Sequence, residues 1–215
     1  MDAKTQFQRN ATILSAEGKQ VGLIERVVVN PETNVLTDIV VRTGTLLKKE
    51  EKVVPVGLVD ETAESQIVLR EEAGELEGCP PFEEKRLVDE HPNSSASTRK
   101  EPPLIVGYPA LGTPMAPVPT EKIVTRIEQN IPAGTVALKE GAKVVTAEGK
   151  HVGNVERVLV DPSVDQVTHL LVSKGLFLKE AKLIPIVWVM AFGEDNVHLR
   201  VKKDAIESLE PVPFG

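Results

Sequence analysis

Apolar and polar residues along this chain follow the pattern of short β-strands rather than that of helices. Runs rich in Val, Ile and Leu are bounded by turns that contain Gly or Pro, as in small all-β domains. Within the run 20–29 the alternation slips, because Ile24 and Val27 are both apolar but fall on opposite faces of a strand. The slip predicts either a β-bulge or a strand that is covered on both faces.

The same pattern occurs twice along the chain. Residues 16–22 return as 147–153, and residues 52–56 return as 182–186. Equivalent residues are 131 positions apart up to the third strand and 130 apart after it. Matches in this order and spacing predict an internal duplication of a unit of roughly seventy residues.

Each copy is predicted to contain five short strands and a short terminal helix. The predicted strands of the first copy are 11–14, 20–29, 36–42, 53–56 and 66–70, followed by a helix at 71–76. Those of the second copy are 142–145, 151–160, 167–173, 183–187 and 196–201, followed by a helix at 203–209. Gly18 and Gly149 mark turns that need a positive φ, and Pro55 and Pro185 place the fourth strands at an edge or a bend.

These elements predict an all-β protein made of two tandem small β-barrels packed as a pseudo-dimer. Strands this short bury little surface in an open sheet, and closing the sheet removes its exposed edges. A barrel of about seventy residues has a marginal core, so we expect the two barrels to stabilise each other, within one chain or between chains. Val40 and Leu171, which point outward from the third strands, are the predicted contact residues.

Three segments are predicted: a first barrel at 1–77, an acidic, Pro-rich linker at 78–134 and a second barrel at 135–215. The linker contains ten of the sixteen prolines. Because proline lacks an N–H donor and fixes φ, no regular sheet is expected there, apart from a short strand or turn within 121–129.

Composition limits the classes of function. The net charge is -7, and no stripe of Lys and Arg interleaved with aromatic residues is present, which argues against nucleic acid as a partner. Cys79 is the single cysteine, which excludes an internal disulfide and fits a cytoplasmic protein. The longest apolar stretch, 183–192, is too short to span a bilayer, and residues 1–10 lack the apolar core of a signal peptide, so we expect a soluble protein.

The repeated residues resemble the PRC-barrel family, whose pattern is a Gly-x-x-Val/Ile-Gly turn, Val-containing strands, a Pro-containing turn and a Val/Ile-Pro fourth strand. Both copies match it, at 18–22 with 54–56 and at 149–153 with 184–186. The family includes the cytoplasmic domain of the photosynthetic reaction centre H subunit and the C-terminal domain of a ribosome maturation factor. In both, the barrel resembles a protein-contact module, so the resemblance implies PRC-type barrels and a protein partner. The membrane helix of the one and the N-terminal domain of the other have no counterpart in this chain, so neither specific role is carried over.

The residues predict no catalytic, cofactor-binding or metal site. The four histidines, His91, His151, His169 and His198, have spacings that fit no metal motif. The repeated pairs Glu25-Arg26 and Glu156-Arg157 are predicted to form cross-strand ion pairs or contacts between the barrels, because neighbours on a strand face opposite sides. No Ser or Cys stands in a nucleophile elbow, so we expect a protein that is not an enzyme.

The predicted partner-binding residues lie in the loops between the third and fourth strands. They place bulky apolar residues next to lysines, at Leu46 and Leu47 in the first copy and at Leu176, Phe177 and Leu178 in the second. These side chains either plug the barrel end or protrude as a contact for a protein or a membrane surface. Trp188, which replaces Leu58 of the first copy, is predicted to fill core space.

The first functional hypothesis is a non-catalytic scaffold or adaptor whose barrels bind a protein partner. An RNA-associated or ribosome-associated factor is the first alternative, and a sensor that binds a small ligand in the groove between the barrels is the second. Peripheral contact with a membrane and homodimer formation both stay open.

Overall fold

The computed structural model describes residues 5–8, 10–44, 49–62, 66–74, 76–89, 123–139, 141–174 and 180–212. The chain divides into two compact units, one formed by Met1–Glu83 with Gln129–Gly215 and the other by Glu84–Glu128. Both repeats belong to the first unit, and the second unit is part of the connection between them.

The strands of the first repeat are β1 (Thr5–Gln8), β2 (Thr12–Leu14), β3 (Gln20–Val29), β4 (Leu36–Gly44), β5 (Lys49–Pro55), β6 (Val59–Thr62) and β7 (Gln66–Leu69). Strands β2 to β7 form a sheet in the order β5-β4-β3-β2-β7-β6, with β2 and β7 parallel. A single turn of 3-10 helix at Val56–Leu58 follows Pro55 and confirms the predicted bend. Another at Glu71–Ala73 takes the place of the predicted terminal helix.

The connection between the repeats contains strands as well. Within it, β8 (Glu83–Asp89) and β9 (Ile123–Gln129) form a two-stranded sheet. The expectation that the linker 78–134 holds no regular sheet is therefore wrong. The physical reason is that the prolines are unevenly spread and neither strand contains one. The short strand predicted within 121–129 is confirmed by β9.

The strands of the second repeat are β10 (Val136–Lys139), β11 (Lys143–Val145), β12 (His151–Asp161), β13 (Gln166–Lys174), β14 (Glu180–Pro185), β15 (Val189–Phe192), β16 (Asn196–Leu199) and β17 (Pro211–Val212). Strands β11 to β17 form a sheet in the order β15-β16-β11-β12-β13-β14-β17. The helix α1 (Lys203–Glu207) confirms the predicted terminal helix in a shorter form. Trp188, in a 3-10 turn after β14, packs against the main core as predicted.

Local predictions for the second strand and its turn are confirmed. The register between β3 and β4 shifts between Ile24 and Arg26, as expected for a bulge. Both faces of β3 are also covered, because Ile24 lies in the main core and Val28 lies in a smaller outer cluster. The Glu-Gly turns have positive φ at Gly18 (79°) and Gly149 (75°).

The two repeats exchange their first strands. β1 pairs antiparallel with β12 of the other repeat, with Phe7 opposite Val158. The equivalent strand β10 pairs with β3 of the first repeat, with Leu138 opposite Val27. Phe7 and Leu138 occupy equivalent positions and are both buried in one core that contains residues of both repeats. The predicted pseudo-dimer is confirmed, and each half is completed by a strand of the other.

A pseudo-twofold axis passes between the two repeats. The exchanged strands pass from one sheet to the other at equivalent positions of positive φ, Asn10 (57°) and Gly141 (81°). Near the axis the β3–β4 turn meets the β12–β13 turn, through hydrogen bonds from Leu36 N to Asp165 O (2.8 Å) and from Val167 N to Asn34 O (2.8 Å), and through a bridge between Val35 and Gln166. Because the two hydrogen bonds are equivalent, the bridge residues are those that face each other across the axis.

The residues that follow each repeat pair with it in the same way. Pro81 bridges Lys52 on β5, and Pro211 of β17 pairs with the equivalent Lys182 on β14. In the first repeat this extension carries Phe82, which is fully buried over the outer face of the sheet. The residues up to Glu83 therefore belong to the first compact unit.

The predicted contact residues Val40 and Leu171 have different surroundings. Val40 belongs to a buried cluster that also contains Phe82 and Ala137 of the exchanged strand β10, so it lies in a cluster shared with the other repeat. Leu171 packs within its own repeat, in a cluster that includes Val212 of β17. The prediction is wrong for Leu171, because the C-terminal extension covers the face on which it lies.

Asp38 is expected to destabilise the fold at neutral pH. Its carboxyl is buried, burial raises its pKa while the hydrogen bond from Thr37 lowers it, and Oδ2 has no hydrogen-bond partner. A pKa raised in the folded state means that stability is lost as pH rises through that pKa. Asp38→Asn is therefore expected to raise the free energy of unfolding at pH 7 by about 1 kcal/mol.

The measurement is urea unfolding of Asp38→Asn and wild type at pH 7 and at a pH below 3.8, the usual value for Asp. The gain should vanish at the acidic pH, where both states of the wild-type carboxyl are protonated. The exposed Asp195→Asn serves as the control and should change neither value. A gain that is equal at both pH values would contradict the explanation.

Candidate functional site

The predicted partner-binding residues lie outside the described residues. Leu46 and Leu47 fall within 45–48, and Leu176, Phe177 and Leu178 fall within 175–179. What the structure describes is the pair of strand ends that flank each of these loops. These are the ends of β4 and β5 in the first repeat and of β13 and β14 in the second.

A cavity lies at this end of each barrel. In the first repeat it has a volume of about 470 Å³ and is lined by Gln20, Val21, Gly22, Leu23, Arg42, Thr43, Gly44 and Lys49. In the second repeat it has a volume of about 260 Å³ and is lined by Val152, Val172, Lys174, Lys182, Lys203, Ile206 and Glu207. We call the second of these the lysine cavity. Its floor is aliphatic and its rim is cationic, a combination that suits an anion with an apolar part.

One of the three lysines has a structural role that both repeats share. The Lys182 ammonium donates to the carbonyl oxygens of Ile206 (2.9 Å) and Glu207 (2.8 Å) at the end of α1. The equivalent Lys52 donates to the carbonyl oxygen of Leu76 at 2.6 Å. Because an ammonium has three N–H donors, Lys182 retains one beyond these two bonds.

The other two lysines occur in the second repeat only. Lys174 replaces Thr43, and Lys203 replaces Ala73. Lys203 is half-buried and pairs with Glu207 at 2.5 Å. The hydrogen bond and charge of Lys203 lower the pKa of the Glu207 carboxyl, and the charges of Lys174 and Lys182 lower it further. Among the described residues that line the cavity there are thus three lysines and one carboxylate, an excess of positive charge in a chain whose net charge is -7.

The repeated Glu-Arg pairs are structural in the first repeat, as predicted. Arg42 forms a cross-strand ion pair with Glu25 at 3.4 Å. Arg26 pairs with Glu51 on its own sheet (3.7 Å) and with Glu194 of the other repeat (3.4 Å). The Arg26 guanidinium also lies over the Phe82 ring, 4.9 Å from its centroid. The Arg26–Glu194 pair joins the two repeats, whereas the other two ion pairs lie within the first sheet.

The corresponding residues of the second repeat make hydrogen bonds. The hydroxyl of Ser173, which replaces Arg42, donates to the Glu156 carboxylate. Arg157 donates to the side-chain oxygen of Gln6 on the exchanged strand β1 at 3.1 Å. Here too the pair joins neighbouring strands and the two repeats.

Other reactive side chains form no cluster in the described part of the chain. Among those residues, no group of three or more His, Cys, Asp and Glu could hold a metal ion. His151 Nε2 lies 3.1 Å from the side-chain oxygen of Asn154, and His91 falls outside the described residues. Burial raises the pKa of the Cys79 thiol, against a smaller opposing effect of Lys52.

A cleft between the repeats is the second concave surface of interest. It has a volume of about 270 Å³ and is lined from the first repeat by Phe7, Val56, Gly57, Val59, Asp60, Thr62 and Arg70, and from the second by Val160, Pro162 and Asp165. Arg70 and Asp60 are both more than half exposed and are 3.9 Å apart. Because both side chains are exposed to solvent, this ion pair contributes little to the stability of the fold.

Sequence reasoning missed the lysine cavity. Lys174, Lys182 and Lys203 are distant in sequence and belong to no motif. A comparison of the two copies position by position would have given one signal, since Thr43 and Ala73 change to lysine together. That the two lysines share a cavity follows only from the packing of α1 against the ends of β13 and β14.

Comparisons with known proteins agree with the fold. Among the described residues, no helix has the length and apolar character needed to cross a membrane. A comparison of the chain with curated proteins finds no match. The family model of the PRC-barrel domain matches two segments, residues 9–76 and 140–206, which together make up more than half of the chain. The chain therefore belongs to the PRC-barrel family, of which it carries two tandem copies.

Proposed function

We propose that this protein is a non-catalytic adaptor of the cytoplasm that binds a protein partner at the end of its second barrel. The observation that carries the proposal is the difference between the two barrel ends. Lys174 and Lys203 line the second end, whereas Thr43 and Ala73 stand at the equivalent positions of the first. Neither lysine is required by the barrel, because the first repeat forms the same sheet without them.

The surfaces that the fold already covers also favour the barrel end as the binding site. The strand exchange already covers one edge of β3 and one edge of β12. The outer face of the first sheet is covered by Phe82, and that of the second by β17. The barrel ends carry concave surfaces that these contacts leave open. The apolar residues Leu176 and Phe177 belong to the loop between β13 and β14, whose strands border the lysine cavity.

The proposal is tested by affinity capture from native lysate with mild crosslinking. The double variant Leu176→Ser/Phe177→Ser is expected to recover at least tenfold less of a discrete protein partner than wild type does, because it removes the apolar residues of the second barrel end. The matched control is Leu46→Ser/Leu47→Ser at the first barrel end, which should recover the partner normally. Thermal unfolding of both variants checks that the fold is retained.

Two outcomes would contradict the proposal of an adaptor that binds its partner at the second barrel end. Recovery of the same partner by the second-end variant would place the contact elsewhere. An eluate dominated by ribosomal proteins and RNA, lost steeply as salt is raised, would support the RNA-associated alternative instead. The net charge of -7 and the scarcity of aromatic residues argue against that alternative.

A further inference from the structure

We infer that the lysine cavity binds the C-terminal residue of a partner peptide, with the carboxylate on the lysines and an aliphatic side chain on the floor. The inference rests on the proposed function in so far as the ligand belongs to a protein. It assigns the chemistry of the contact, which the family membership leaves open. The residues that carry it are Lys174, Lys182, Lys203 and the aliphatic floor.

The charge of the cavity selects an anion. The described side chains that line it include Lys174, Lys182, Lys203 and one carboxylate, that of Glu207. Lys182 retains one donor after its two bonds to carbonyl oxygens, and the Lys203 ammonium has donors beyond the one that Glu207 accepts. A bound carboxylate would therefore find N–H donors without displacing the bonds that hold α1. Ammonium–carboxylate hydrogen bonds are among the stronger polar contacts in proteins.

The floor selects an aliphatic group. Val152, Val172 and Ile206 are each less than a tenth exposed and line the cavity below the lysines. An inorganic anion would leave this surface without a partner, whereas a branched aliphatic side chain would cover it. Burying that side chain adds hydrophobic stabilisation to the charge contact.

The size of the cavity favours a chain terminus over an internal acidic residue. At about 260 Å³ it lies just below the range of sites for drug-sized ligands. A C-terminal residue carries its carboxylate and its side chain on one Cα, so both groups fit in a small space. An internal acidic residue with an aliphatic neighbour would direct the two side chains to opposite faces of an extended peptide.

The test is an NMR titration of the full-length, ¹⁵N-labelled chain with acetyl-Ala-Ala-Leu that has a free carboxylate. Binding is expected to shift the amide signals of Val152, Val172 and Ile206. The C-terminally amidated peptide should bind at least tenfold more weakly, because it lacks the charge. The variant Lys174→Thr/Lys203→Ala, which installs the residues of the first repeat, should weaken binding of the free peptide by a similar factor.

The control variant is Lys150→Ala/Lys202→Ala, which removes the same charge at two exposed positions outside the cavity. It should bind the peptide like wild type. Equal affinity for the free and amidated peptides, or unchanged affinity of Lys174→Thr/Lys203→Ala, would overturn the inference. If hexanoate binds as tightly as the peptide, the ligand is a free aliphatic acid and the assignment to a peptide C-terminus is wrong. Inorganic phosphate that binds in place of the peptide would overturn the role of the floor.

The inference and the proposed function fail separately. If no peptide binds but capture still recovers a partner that depends on Leu176 and Phe177, the adaptor stands and the assigned chemistry is wrong. If the peptide binds at the cavity but capture recovers no partner, the site stands and the adaptor is wrong.

Discussion

The second repeat expressed alone, as residues 130–215, is expected to form a homodimer. In the intact chain β12 is completed by β1 of the first repeat, and Phe7 of that strand is buried in the shared core. A lone second repeat lacks β1 but retains the equivalent strand β10. Since Leu138 occupies the position equivalent to Phe7, β10 of one copy can complete β12 of another.

The driving force is the burial of a sheet edge and its side chains. A monomer would leave unpaired those backbone N–H and C=O groups of 157–160 that point toward β1, and would uncover Val158 and Val160. Loss of a buried aromatic side chain such as Phe7 alone costs about 3–5 kcal/mol, which is a large share of the stability of a small domain. Dimer formation restores both the hydrogen bonds and the packing.

Light scattering coupled to size-exclusion chromatography measures the mass directly. The lone repeat should elute with twice its own mass, whereas Leu138→Asp in the same fragment should abolish the dimer and the folded state together. A folded monomer of the unaltered fragment would show that β10 can turn back onto its own sheet, and would contradict the importance of the exchange.

A large loss of stability is also expected when Gly153 on β12 is replaced by a residue with a side chain. A Cβ at this position would lie 2.4 Å from the carbonyl oxygen of Ser173 and 2.8 Å from Val172 Cγ1, and the residue has φ of 155°. A backbone oxygen on the paired strand cannot move aside as a flexible side chain can. Gly153→Ala is therefore expected to lower the free energy of unfolding by roughly 3 kcal/mol, the upper part of the range for overpacking.

Denaturant unfolding of Gly153→Ala measures this loss against a matched glycine. Gly149 also has positive φ, but nothing lies within 4 Å of a Cβ placed there. Gly149→Ala should therefore cost only about 1 kcal/mol, the conformational penalty of an alanine in this region. Equal losses for the two variants would show that the close approach of β12 and β13 relaxes at little cost.

The residue patterns predicted the individual strands and turns better than they predicted which strands pair with each other. The bulge near Ile24, the positive φ of Gly18 and the bend after Pro55 each follow from local chemistry, and the structure has all three. The exchange of β1 and β10 does not follow, because β3 and β12 are copies of each other. Either strand offers a suitable edge, and only the chain connection decides between them.

The candidate site was less accessible to sequence reasoning than the fold. The repeats identify the loops after β4 and β13 but say nothing of the cavity that the flanking strand ends line. Lys203 comes from α1 and Lys174 from the end of β13, so their proximity depends on how the terminal helix packs. The linker strands were missed for a related reason, since average proline content hides the proline-free segments 83–89 and 123–129.

The bridge between Val35 and Gln166 has a consequence for how such a protein can change over time. If one gene encoded a single repeat that paired with itself, the same side chain would stand on both sides of the axis. Every substitution would then appear at both barrel ends at once. With both repeats on one chain, Val can face Gln, and lysines can accumulate at one end while the other keeps Thr43 and Ala73. Covalent fusion thus allows one repeat to keep the residues that the fold needs while the other repeat changes its surface. A symmetric dimer of identical repeats cannot do this.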